Sequence, residues 1–150
     1  MQTNKSMTWY KVLIYFLLFA SALVYLYHSF FFFSGNLHKN HEKLFYFMAP
    51  HLKTFDIIMG ILYILLAALA IYTRIELVKF SKIAPMLLTG VYLAPAICKA
   101  LYLIVLMSTK SIGQDFDVLT YDFVPAIFSS VALLGINLVY MTNRSEMFTN

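Results

Sequence analysis

Lys99 stands inside an apolar run, Ile83 to Met107, that is long enough to cross a membrane. An ionisable side chain at such depth costs roughly 3 kcal/mol on insertion scales unless it snorkels, pairs or faces water. Its own helix supplies company: Tyr92, Pro95 and Tyr102 lie at helical spacing from Lys99 and share its side. The two phenols can accept a hydrogen bond or offer ring faces to the cation. Pro95 lacks an N–H, so the carbonyl of Val91 loses its helical partner and the segment is expected to kink or open a small cavity. The bland alternative is a lysine that snorkels along lipid, which its flexible stem permits.

The elements that must position this group follow from composition. Of 150 residues, 61% are hydrophobic and 12% charged, far from the balance of a soluble domain. Four apolar segments stand out, at about 12–33, 55–73, 83–107 and 123–141. Helices are expected, because a bilayer core leaves no water for unpaired backbone groups, and the segments are too continuously apolar for barrel strands. The fold class that results is all-α: a polytopic membrane protein with four transmembrane helices in an up-down antiparallel bundle, forming a single membrane domain over residues 1–150. A cleaved signal peptide is disfavoured, since the run from Val12 to Phe33 continues past the small residues Ala20-Ser21-Ala22 without a polar break.

The connections set the orientation. Lys5, Lys11, Arg74, Lys79, Lys82 and Arg144 on one side outnumber Lys39, Lys43, Lys53 and Lys110 on the other, six to four. The positive-inside rule then puts both termini in the cytoplasm of a cell-membrane protein. Segment three runs outward in that topology, and helical side chains tilt toward the N-terminus, which favours a Lys99 that faces the bundle interior over one that reaches the outer surface.

Counting depth along each helix gathers a polar layer. At ~1.5 Å per residue, Tyr25, Tyr63 and Lys99 each lie about 12 Å below the outer end of their segments, and Ser129 and Ser130 about 9–10 Å below. With Tyr92 and Tyr102 these residues form the candidate layer. Asp56 and Asp122 fall roughly 10 Å nearer the outer interface and form a candidate acidic rim, with His28 between. A direct Lys99–Asp56 ion pair would need the segment boundaries to shift by several ångströms. Tyr, Ser and Asp also populate helix contacts and interfaces without any site, so the layer competes with that plainer explanation.

Other candidates are weaker. His38 and His41, with Glu42 adjacent and His51 further on, have no second ligand pair at diagnostic spacing and read as a solvated loop. Asn137, with Ser130 and Ala126 on one face, reads as interhelical glue, and Ala96 with Ala100 permits close helix approach. The single Cys98 excludes an intrachain disulfide. No Gly-rich loop, serine elbow or paired carboxylates within a span support nucleophilic catalysis, phosphate cradling or dinucleotide binding. No catalytic residue, cofactor or metal ligand is therefore assigned, and no basic block points to nucleic acid.

Several stretches, Trp9-Tyr10-Lys11-Val12-Leu13-Ile14-Tyr15-Phe16, Leu52-Lys53-Thr54-Phe55-Asp56-Ile57-Ile58-Met59-Gly60-Ile61, Ile71-Tyr72-Thr73-Arg74 and Asn137-Leu138-Val139-Tyr140, give the chain a resemblance. It resembles a family of small uncharacterised four-helix integral membrane proteins of clostridia and related Firmicutes. Relatives often carry a zinc-ribbon module ahead of the membrane part; no Cys pair precedes Trp9 in this sequence, so the ribbon and its metal are not expected here. The resemblance implies topology and no activity. The expectation is a non-enzymatic partner-binding or accessory membrane protein, its partners the lipid bilayer and a second copy or another membrane protein. A small transporter or channel built on the Lys99 layer is the first alternative, and a membrane enzyme acting on a lipophilic substrate the second.

Overall fold

The computed structural model describes residues 7–35, 46–47, 49–108 and 113–148, without the side chains of 113–121. The chain is an all-α four-helix bundle: α1 (Thr8–Ser34), α2 (Pro50–Val78), α3 (Ala84–Ser108) and α4 (Gly113–Thr142), followed by a 3₁₀ turn at Ser145–Met147. All four helices, α4 from Asp122 onward, are long and apolar enough to cross a membrane. α1, α2 and α4 outrun their expected apolar segments, because a helix needs only backbone bonding to continue beyond the stretch that apolar side chains mark, whereas α3 matches its segment to within one residue at each end. The largest differences are at two starts. Pro50 opens α2 five residues ahead of the expected segment, where its fixed φ and missing N–H fit the first turn. The connection expected over Ser108 to Asp122 is helical from Gly113.

Helix ends are set by local chemistry. Gly35, at φ 67°, stops α1 in the left-handed conformation that glycine adopts without penalty. The end of α2 closes by the same geometry without a glycine: Phe80 sits at φ 55°, its N–H donates to Leu77 O at 3.0 Å, and the Ser81 N–H donates to Glu76 O at 3.1 Å. The Tyr10 ring stacks on Phe80 at 5.4 Å with an interplanar angle of 7°, and its hydroxyl donates to Leu77 O at 2.6 Å. Phe148 leans on both rings.

Contacts between helices give the topology. Tyr10 meets Leu77, Arg74 meets Ile14 and Ser29 meets Gly60, so α1 and α2 are antiparallel. Asp56 meets Tyr102 across α2 and α3, and Tyr102 meets Phe123 across α3 and α4. One end of the bundle, the turn end, carries Met7, the α2–α3 turn and Phe148; the opposite loop end carries the other two connections. Without a hydrophobic drive in lipid, close backbone approach and interhelical hydrogen bonds hold such helices together. At the α1–α2 crossing, a Cβ on Gly60 would stand 2.8 Å from the Phe33 ring, and Ser29 Oγ donates to Gly60 O at 2.8 Å. α1 contains one π-helical turn, Leu13–Leu17, within which the Ile14 carbonyl accepts from Arg74 Nε at 3.1 Å. The backbone of α4 packs chiefly on α3, and Trp9 Nε1 on α1 donates to Asn137 Oδ1 at 3.2 Å.

Candidate functional site

Lys99 points inward: it is 6% exposed, about 13 Å below the Ser108 end of α3 at the helical rise. Its Nζ lies 5.7 Å from the centroid of the Phe123 ring on α4, within cation–π range. Among the described residues it has no hydrogen-bond acceptor and no carboxylate within 4 Å. The ammonium is desolvated by the bundle and, among the described residues, is answered by a ring face alone.

The helix around Lys99 behaves as the proline rule requires. α3 stays helical through Pro95, and the freed Val91 carbonyl accepts from the Tyr25 hydroxyl at 2.7 Å. One inter-helix bond, worth about 1 kcal/mol net, thus replaces the missing intrahelical one. Tyr63, fully buried, packs edge-on to Tyr25 with centroids 6.0 Å apart and also touches His28 at 5.4 Å and Phe32 at 5.5 Å. Phe32 in turn meets Tyr102 at 5.3 Å, and Tyr102 meets Phe123 at 5.6 Å. A continuous run of rings therefore joins Tyr25 to the Lys99 cation. Among the described residues, the buried hydroxyls of Tyr63, within this run, and of Tyr92 have no hydrogen-bond partner.

Asp56 departs from the rim expected of it. It is 1% exposed and accepts from the Tyr102 hydroxyl at 2.6 Å and the Tyr46 hydroxyl at 2.7 Å. The cause is the early start of α2: with helix from Pro50, Asp56 lies in the second turn and faces α3. Its phenolic partners, and not Lys99, satisfy it. Asp122 stays exposed at the start of the α4 span and makes no ion pair with Lys99. Ser129 also departs from the layer; it is exposed and donates to Ala126 O on its own helix at 3.0 Å, while Ser130 is half-buried. Lys99, Tyr25, Tyr63, Tyr92 and Tyr102 are the layer residues that the fold buries in its interior.

Phe123 and Tyr46 are the site residues that depth counting missed. Phe123 reads as an ordinary boundary aromatic, and Tyr46 lies in a connection whose path no periodicity fixes. Asn137, expected as interhelical glue, does bridge α4 to Trp9 on α1. His38, His41, Glu42 and Lys110 lie outside the described residues, and among those described no three His, Cys, Asp or Glu side chains converge as a metal site needs. Chemically, the described residues of the site offer a cation without an acceptor, a carboxyl group bonded by two phenols and two hydroxyls without partners. No family model, no curated protein and no solved structure matches this chain.

Proposed function

We propose that this membrane protein is a non-enzymatic partner-binding protein that docks another membrane helix, that of a second copy, along the outer face of α4. The observation that carries this is the burial of α4. Only 11% of its most apolar stretch is buried, against 33%, 39% and 44% for α1, α2 and α3. The exposed face has the composition of a helix interface. Phe128, Ala132, Gly135 and Val139 recur at helical spacing and all are exposed, with Ser129 beside them. A Cβ on Gly135 would meet nothing within 4 Å, so no contact inside this chain calls for a glycine that costs about 1 kcal/mol relative to alanine in a helix. Close approach by another backbone supplies the reason. The same reading keeps both termini cytoplasmic and keeps the resemblance to small four-helix membrane proteins as a statement of topology. Energy transfer between donor- and acceptor-labelled copies in liposomes tests it. Transfer is expected to fall as lipid is added and to be abolished in Gly135→Leu; transfer at background level in the unaltered protein at every dilution would sink the docking.

A second reading rests on Lys99. A buried ammonium without an acceptor suits an anionic solute that binds and passes between α3 and α4. Lys99→Met removes an uncompensated charge at little change in volume, and is expected to fold at least as well as the unaltered protein. Comparing efflux of organic anions from liposomes that hold either version is then a clean test, and equal efflux excludes transport through this layer.

A further inference from the structure

At the turn end, α3 begins, α4 ends and the tail folds back, leaving a groove of about 460 Å³. Its volume falls in the range of small-molecule sites. Its lining changes character along the bundle axis. Pro85, Leu138 and Met141 form an apolar floor on the membrane side, whereas Lys82, Thr142 and Ser145 form a polar rim at and beyond the helix ends. Phe148 makes one wall and is held there, its ring 6.3 Å from Tyr10 and 6.4 Å from Phe80, while Tyr10 is itself bonded to Leu77 O. The 3₁₀ turn behind it is closed by Met147 N–H to Arg144 O and Phe148 N–H to Ser145 O. The groove is therefore shaped before anything enters it.

Its charge is uncommitted. Of the basic side chains around it, Lys79 donates to Glu76 at 3.0 Å, and Arg144 is taken up by Met7 Sδ at 3.1 Å and the Tyr140 ring at 4.4 Å. Lys82 is exposed and makes no hydrogen bond or ion pair with a described residue. We propose that this groove binds one anionic phospholipid of the surrounding leaflet. Lys82 and the Ser145 hydroxyl hold the phosphate, and the first part of an acyl chain lies over Pro85, Leu138 and Met141. The apolar-to-polar order of the lining matches that occupant, since it repeats the order from acyl chain to headgroup across the membrane boundary. A soluble anion would leave the floor unused.

Native mass spectrometry of the delipidated full chain, titrated with phosphatidylglycerol or phosphatidylcholine, tests the site. One phosphatidylglycerol is expected to be retained in preference to phosphatidylcholine. Lys82→Gln should weaken that retention ~5-fold, the size expected for one basic residue at an anionic surface. Lys11→Gln changes an exposed lysine at the same end but away from the groove, and should leave retention unaltered. Circular dichroism of each variant confirms that the helices persist. Equal retention of the two lipids, an equal loss in both variants, or displacement of the lipid by inorganic phosphate would each overturn the proposal.

Discussion

Tyr25 and Pro95 are coupled through an atom that belongs to neither, the Val91 carbonyl. Tyr25→Phe leaves that buried oxygen without a donor and is expected to lower stability by about 1–3 kcal/mol. Pro95→Ala restores an N–H four residues after Val91, so in that background the same Tyr25→Phe change should cost well under half as much. Denaturation of the four proteins in mixed micelles with rising SDS, followed by circular dichroism, measures the coupling; additive effects would show that the hydroxyl is not compensating for the proline. Half of this pair was legible in the sequence. A proline inside a helix announces an orphaned carbonyl, and its position follows by subtraction. The donor was not legible, because it depends on how far α1 is rotated and shifted against α3. The same limit applies to Lys99: its depth could be counted, but the ring that faces it could not.

At the scale of the helices, the α2 terminus combines strain with packing. Phe80 holds a left-handed backbone that disfavours any residue with a Cβ, and it persists because its ring packs against those of Tyr10 and Phe148. Phe80→Ala keeps the strain and loses the rings, whereas Phe80→Gly loses the rings and the strain together. Glycine is therefore expected to be the milder substitution by about 1 kcal/mol, read from the same SDS titration. The opposite order would mean that the ring stack, and not the backbone, defines this turn. Helix existence was legible throughout, since continuous apolar runs leave no alternative in a bilayer. Helix rotation was not: α4 is apolar nearly all round, so its pattern does not say which side faces α3. That is why counting depth could not show that Ser129 is exposed. Asp56 went astray for a different reason, since the apolar run marks the start of α2 five residues late and so puts Asp56 at the helix end instead of in its second turn.

Across the whole molecule, packing is uneven. α1 and α2 form a tight hairpin with Gly60 at its crossing, α3 closes against both through Tyr25 and Asp56, and α4 leans on the outside. The sequence shows four spans and their order but not this hierarchy, which depends on small contacts spread far apart along the chain. The hierarchy has a consequence for the chain as it is made. α1, α2 and α3 emerge first, and until α4 docks Lys99 lacks the Phe123 ring that stands beside it in the finished bundle. Until α4 arrives the three-helix intermediate carries an exposed mark of incompleteness in the membrane. Once α4 docks, one aromatic ring covers that mark, and an unfinished chain becomes chemically distinguishable from a finished one.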